Sequence, residues 1–183
     1  MRTCHVLVVA LGVALAAPAA ASAQDADRVV PGGGITAPGW KGQVDPASAK
    51  AGRTVADSKF EKDGDALRLT IGPAAIYWNP ANTATGDFIV KASFSETDMG
   101  VRSGHPHPYG VFIGGNNLDT ARQSLMYCIA YGDGSFLVRQ FNGATVNKAD
   151  VVTAGKLESL DGIYGIRVSH NLDVVVTGFG VTK

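Results

Sequence analysis

The stretch LMYCIAYGDGSFLVRQF, residues 125–141, predicts a β-hairpin at the centre of the fold. Its first half, Leu125–Tyr131, is apolar on both faces, which is typical of a strand covered by other layers on each side. Gly132-Asp133-Gly134 supplies the turn, and Phe136–Phe141 supplies the returning strand. Cys128 lies in the middle of the first strand and is therefore predicted to be a small buried apolar side chain.

Strand-like runs separated by turn residues extend outward from this hairpin in both directions. Leu67–Ile71 and Phe88–Phe94 alternate apolar and polar residues, which is the period of a half-buried strand. Tyr109–Ile113 is apolar on both faces, and two further β-rich runs, Ile163–Ser169 and Leu172–Val181, follow near the end of the chain. No stretch has a convincing helical pattern. These features predict an all-β fold, a two-layer antiparallel jelly-roll sandwich.

Residues 1–23 have the features of a cleavable Sec-type signal peptide. Arg2 gives a positive start, Val6–Ala17 is an unbroken apolar run, and Ala21-Ser22-Ala23 fits a cleavage site before Gln24. The apolar run has 12 residues, whereas a membrane-spanning helix needs about 20. We therefore expect an exported protein, periplasmic or secreted, without a membrane span.

The rest of the sequence divides into a Gly- and Pro-rich lead-in that we expect to be flexible (24–38) and one jelly-roll domain (39–183). The full chain has 16 basic and 16 acidic residues, and the loss of Arg2 with the signal peptide leaves a formal net charge of −1. This balance lacks the basic stripe of a nucleic-acid-binding protein, so no nucleic-acid partner is expected. Cys128 is the one cysteine left after cleavage, so no internal disulfide is expected.

Five short motifs carry a resemblance to a known family, and the likeness runs from about Trp40 to the C-terminus. The motifs are GPAAIYWNP (Gly72–Pro80), GDF (Gly86–Phe88), HPHPYG (His105–Gly110), FIGG (Phe112–Gly115) and YGDGSF (Tyr131–Phe136). Together they resemble bacterial secreted domains of the concanavalin A-like lectin/glucanase superfamily, and within it the group labelled 3-keto-disaccharide hydrolase-like. The resemblance implies a jelly roll and a role that involves carbohydrate.

The sequence departs from this family pattern after the hairpin. Such domains usually have a further strand pair before the final strands, but here only about twenty residues separate Phe141 from Ile163. Asp150–Thr153 is the sole strand candidate in that interval. Either the sheet is smaller or a segment has been lost, and a jelly roll that lacks inner strands has an open edge.

No catalytic residue is predicted. Glucanases of this superfamily place carboxylates at alternate positions of one strand, as Glu-x-Asp-x-Glu, so that acid and nucleophile share a face. The nearest run here, Glu96-Thr97-Asp98, is interpreted as a solvated strand end. The sequence also has no G-x-S-x-G elbow, phosphate loop or dinucleotide fingerprint, so no cofactor is expected.

His105 and His107 are candidate ligand-binding residues. Each precedes a proline, which favours extended backbone, and an extended segment would place both imidazoles on one face. They could contact a sugar hydroxyl or a metal; a metal would need a third ligand from Asp98, Asp119 or His170. Because two histidines form an incomplete site, no metal is predicted. The alternative is a rigid loop whose histidines cap neighbouring backbone groups.

Aromatic and amide side chains complete the predicted ligand-binding set. Aromatic rings can cover the C–H faces of sugars, while amide and charged groups bind hydroxyls. The same side chains could instead seal one end of the sandwich or form ordinary loops, and Trp40 is expected in the core. The candidates besides the histidines are Tyr77, Trp78, Tyr109, Asn116, Asn117 and Arg122.

Three functions follow from these features. The first is non-catalytic binding of a saccharide or cell-surface glycan. The second is a glycoside hydrolase of the 3-keto-disaccharide hydrolase-like type, and the third is a structural envelope module that binds a protein partner. A carboxylate pair facing a cleft would favour the hydrolase, and an exposed apolar patch would favour the protein partner.

Overall fold

The computed structural model describes residues 26–96, 107–120, 122–142, 145–147 and 160–183, and these residues are nearly all β. In chain order the strands are β1 (Gly34–Ile35), β2 (Lys41–Val44), β3 (Lys59–Asp63), β4 (Ala66–Thr70), β5 (Ala75–Ala84), β6 (Ile89–Glu96), β7 (Tyr109–Asn116), β8 (Ser124–Ala130), β9 (Phe136–Asn142), β10 (Thr145–Asn147), β11 (Gly162–Val168) and β12 (Asp173–Thr182). A one-turn helix α1 (Pro46–Lys50) and a 3-10 turn (Val55–Asp57) lie between β2 and β3.

The strands form two sheets that pack as a sandwich. One sheet has five strands in the order β1-β3-β4-β12-β6, and the other has seven in the order β10-β9-β8-β7-β11-β5-β2. All described pairs are antiparallel except β1 with β3. The predicted all-β, two-layer jelly-roll sandwich is therefore confirmed.

A first apolar cluster fills the space between the two sheets. Strand β4 shows why: its alternation buries Leu67 and Leu69 and leaves Arg68 exposed, as a two-faced strand requires. Phe60 of β3 stacks on Tyr77 of β5, with ring centroids 4.7 Å apart and an interplanar angle of 16°. We call the surface of the seven-stranded sheet that faces this cluster its inner face, and the opposite surface its outer face.

A second apolar cluster lies on the outer face. Cross-strand partners point to the same side of a sheet, and one such row runs from Trp78 across Phe112 and Tyr127 to Arg139. Trp78, Phe112 and Tyr127 are all buried, together with Phe141 of β9. The seven-stranded sheet therefore carries buried side chains on both faces.

The hairpin predicted from residues 125–141 is present as β8 and β9. Tyr131 N–H donates to the Ser135 carbonyl at 2.8 Å across the turn, and the Asp133 carboxylate accepts from Ser135 N–H at 2.9 Å. The prediction for Cys128 is wrong, because its side chain is exposed. Cys128 lies on the inner face at a position beyond the five-stranded sheet, whose described part ends at β6.

The described part of the lead-in is built into the sandwich, unlike the flexible segment that its composition predicts. Arg28 donates to both carboxylate oxygens of Asp173 and to the carbonyls of Ile71 and Leu172. Strand β1 then pairs with β3. The folded unit thus begins before residue 39, because hydrogen bonds to β12 and β3 replace the water contacts of a free segment.

The sequence pattern did not predict two elements of the fold, helix α1 and strand β10. Helix α1 begins at Pro46, whose fixed φ suits a first helical position, and Asp45 precedes it as the cap residue. Strand β10 pairs with β9 inside the short connection between Phe141 and Ile163. The strand candidate in that connection, Asp150–Thr153, lies outside the described residues. Among the described residues, no helix is long and apolar enough to cross a membrane.

Candidate functional site

A cavity of about 590 Å³ opens on the outer face of the seven-stranded sheet. Strands β8, β9 and β11 form its floor, and the β2–α1 junction and the segments around residues 107 and 170 form its walls. We call it the outer cavity. Its lining residues are Asp27, Asp45, Ala47, Ser48, Ala51, Ala74, His107, Pro108, Tyr127, Ile129, Tyr131, Leu137, Arg139, Arg167, Ser169 and His170.

A buried ion pair anchors the floor of the outer cavity. Arg167 Nη1 and Nη2 donate to the two carboxylate oxygens of Asp45 at 2.5 and 2.6 Å, a bidentate geometry. The guanidinium also lies 5.4 Å from the ring centroid of Tyr127 and 5.5 Å from that of Phe141. Burial lowers the pKa of Arg167, but the Asp45 carboxylate outweighs burial, so the net shift is upward. Arg167 is therefore held as a cation whose charge Asp45 neutralises.

Arg139 is the second cation of the outer cavity. It lies on β9 directly opposite Tyr127 of β8 and is half-buried. Burial raises the pKa of Tyr127, while the positive charges of Arg167 and Arg139 act in the opposite direction. Arg139 makes no ion pair among the described residues. The outer cavity therefore presents one guanidinium without a carboxylate partner.

Two histidines and a carboxylate form the polar rim of the outer cavity. The rings of His107 and His170 meet edge to face, with centroids 4.5 Å apart. His170 Nδ1 lies 3.7 Å from Asp27 Oδ1, and Ser48 Oγ donates to Asp27 Oδ2 at 2.9 Å. The structure thus brings together two side chains that sequence reasoning considered, His107 and His170, with Asp27, which it did not.

Among the described residues, His170 is the one third ligand considered for a metal site that lies beside His107. Asp119, a third-ligand candidate, lies at the other end of β7 on an exposed loop. His105 and Asp98 lie outside the described residues. Within the described ranges, no group of three or more histidine, cysteine, aspartate or glutamate side chains is placed to hold a metal ion.

Tyr77 and Trp78 lie in the interior instead of on a ligand-accessible surface. Tyr77 is 0% exposed in the first cluster, and burial raises its pKa to about 12. Trp78 is 3% exposed in the second cluster. Because a ring must expose a face to stack on a sugar, neither belongs to the candidate surface.

The remaining predicted residues are spread along β7. Tyr109 begins this strand and stacks on Phe94 with centroids 5.3 Å apart, on the inner face. Asn116 ends it and Asn117 follows, both exposed, and Asn117 has a φ of 52°, which asparagine tolerates in turns. Arg122 is exposed in the next loop. A strand of this length spans roughly 23 Å, so the asparagines and His107 lie too far apart for one small ligand.

Sequence reasoning missed most residues of the outer cavity. Arg139 and Arg167 carried the best available signal, since each is the one charged residue of a mainly apolar strand. Such a charge is rarely buried without a partner or a ligand. Asp27 and Asp45 gave no signal, because their role depends on contacts with β11 and with residues around 170.

The chain was compared with known protein families, and no family matched. No curated protein matched it either. The likeness to lectin/glucanase domains therefore stays a prediction from the quoted motifs, and the geometry of the outer cavity is the main basis for a function.

Proposed function

We propose that the protein is an exported β-sandwich that binds a saccharide in the outer cavity without cleaving it. The observation that carries the proposal is the composition of this cavity: tyrosine rings and charged hydrogen-bonding groups line one concave space of about 590 Å³. Small-molecule sites typically occupy about 300–1,000 Å³ and combine apolar walls with a few convergent polar groups.

The chemistry of the lining suits a sugar. Tyr131 is half-buried and lines the outer cavity with the apolar side chains of Ile129 and Leu137, so these residues can cover the C–H faces of a sugar ring. Arg139 and the two rim histidines offer nitrogen groups that can bond hydroxyls. The family resemblance, which implies a carbohydrate-related role, supports the same conclusion independently of the cavity.

Glycoside hydrolysis is the second candidate, because Asp27 and Asp45 both line the outer cavity. A hydrolase needs one carboxyl group that donates a proton to the leaving oxygen. Both oxygens of Asp45 accept hydrogen bonds from Arg167, so this carboxyl group is already bound within the protein and is not placed to donate a proton to a leaving oxygen. Binding without cleavage therefore fits these contacts better than hydrolysis does.

Export is the part of the proposal that rests on sequence. The features of residues 1–23 lead us to expect a mature N-terminus at Gln24. Intact mass spectrometry of protein recovered from the periplasm or medium checks this. A recovered chain that still carries residues 1–23 would contradict export with cleavage.

A glycan array probed with the mature protein tests the binding function, and a hydrolysis assay on each bound glycan tests the alternative. Tyr131→Ala should weaken binding roughly tenfold, because it removes a ring face and a hydroxyl from the outer cavity. Phe136→Ala is the matched control, since Phe136 belongs to the same hairpin but lies on the inner face and is 71% exposed. Equal affinity losses in both variants would contradict the outer cavity as the saccharide-binding site. Product released in the hydrolysis assay would favour the glycoside hydrolase.

A further inference from the structure

The outer cavity is lined by two aspartates and two arginines, but among the described residues only one of these aspartates forms an ion pair with an arginine. Asp45 and Arg167 neutralise each other through two hydrogen bonds. Asp27 accepts from Ser48 and lies beside His170. Arg139 is left with its positive charge, half-buried, and with no ion pair among the described residues.

An anion that entered the outer cavity would stabilise a cation in this position. Withdrawing a charge from water is unfavourable unless a partner replaces the water. Among the described residues the neighbours of Arg139 supply no negative charge: Tyr127, opposite on β8, hydrogen-bonds its side chain but is neutral, and the cavity floor continues into Leu137 and Ile129. The planar guanidinium matches a planar carboxylate with two parallel hydrogen bonds, which a lysine or a hydroxyl cannot reproduce.

We propose that the ligand of the outer cavity is an acidic saccharide, with the carboxylate of a uronic acid residue bound by Arg139. This inference rests on the proposed saccharide-binding function and adds the class of sugar. Binding positions the carboxylate over β9 and the sugar ring toward Tyr131 and the histidine rim. Neutral saccharides can use the same hydroxyl contacts but leave Arg139 without its counter-ion. Selectivity for acidic over neutral sugars should therefore be about tenfold to a hundredfold.

The test uses an array that contains uronic acid, sulfated, phosphorylated and neutral oligosaccharides, probed with the mature protein. The strongest uronic acid hit is then converted to its carboxyl-reduced, neutral form, and both forms are titrated by calorimetry. The chemical change in the ligand needs no variant protein, so it is independent of any effect on folding. We expect the reduced form to bind about tenfold to a hundredfold more weakly.

Two variants then assign the effect to Arg139. Arg139→Gln should lower affinity for the acidic form by about the same factor and lower affinity for the reduced form much less, because the glutamine amide can still bond a hydroxyl but cannot neutralise a carboxylate. Arg139→Lys keeps the positive charge but loses the planar guanidinium that makes two parallel hydrogen bonds, and should give an intermediate affinity. Arg68→Ala, on the exposed side of the other sheet, is the control and should change neither.

The outcomes separate this inference from the function on which it rests. If neutral and uronic oligosaccharides bind equally well, saccharide binding stands and the acidic-sugar assignment is overturned. Preferred binding of sulfated or phosphorylated oligosaccharides overturns the carboxylate assignment in the same way. If no saccharide of any class binds, the proposed function itself fails. A loss in Arg139→Gln that is equal for acidic and reduced ligands would also overturn the assignment.

Discussion

The two faces of the β8–β9 hairpin reverse the usual distribution of apolar and polar residues. On the outer face, Tyr127 and Arg139 face each other in a buried or half-buried setting. On the inner face, Phe136 is 71% exposed and Val138 is also exposed. The comparison shows that burial in this hairpin follows from what covers each face and not from the character of the residues.

A single row of cross-strand partners on the inner face shows the physical reason. The row runs from Tyr77 through Ile166 and Val111 to Cys128 and Val138. Its first two members are buried under the five-stranded sheet, Val111 is intermediate, and the last two are exposed. The described part of the covering sheet ends at β6, so the row passes out of the core. The exposed apolar side chains are what binding of a protein partner would need, and that alternative stays a prediction.

The largest expected effect comes from exchanging one phenylalanine on each face of the hairpin. Phe141→Ala should lower the free energy of unfolding by about 3–5 kcal/mol, because it leaves a cavity in the second cluster, where Phe141 is 1% exposed. Phe136→Ala should change it by no more than about 0.5 kcal/mol. Urea unfolding of both variants measures the difference. Similar losses would mean that the inner face is covered in solution.

The next largest effect concerns the ion pair on the outer face. Asp45→Ala leaves the Arg167 guanidinium buried without its partner, which should destabilise the fold by about 3 kcal/mol, near the lower end for such pairs because Asp45 is 20% exposed. Asp63→Ala is the control, since its pair with Arg68 is largely exposed and worth about 0–1 kcal/mol. Thermal unfolding distinguishes them, and equal losses would contradict the burial of Arg167.

The burial of Tyr77 on the covered part of the inner face should make the free energy of unfolding depend on pH at high pH. The pKa of Tyr77 is raised to about 12 by burial, whereas an unfolded tyrosine titrates near 10. Above pH 10 the unfolded chain therefore binds fewer protons than the folded one, so stability falls as the pH rises toward 12. Wild type should lose roughly 2–3 kcal/mol more than Tyr77→Phe over this range. If the free energy of unfolding of wild type and of Tyr77→Phe changed equally with pH, the burial of Tyr77 would be contradicted.

The smallest effect belongs to Cys128 at the uncovered end of the same row. Cys128→Ser should alter the free energy of unfolding by no more than about 0.5 kcal/mol, because the hydroxyl stays in contact with water. In a buried site the same change would cost about 1–3 kcal/mol. A maleimide should also label one thiol per folded chain that begins at Gln24. Labelling that requires denaturant would contradict the exposure of Cys128.

Local sequence pattern predicted the strands well, because alternation and turn residues act over a few neighbouring positions. The β8–β9 hairpin, β4 and β6 all lie close to where the pattern placed them. The candidate site was predicted poorly. Of the eight predicted ligand-binding residues, His107 lines the outer cavity; Tyr77 and Trp78 are interior, and His105 lies outside the described residues. The cavity instead combines residues from the β2–α1 junction, β8, β9 and β11, which no local pattern connects.

The sequence by itself determined that this chain forms a β-sandwich, since strand period and turn chemistry are properties of adjacent residues. Tertiary structure decided which face is buried where a strand is apolar on both sides. Leu125–Tyr131 reads as apolar on both sides, yet only its outer face is covered, because coverage depends on where the other sheet ends. Tertiary structure also decided that Asp45 neutralises Arg167 and not Arg139. That pairing joins residues 122 positions apart, and it leaves Arg139 as the charge available to a ligand.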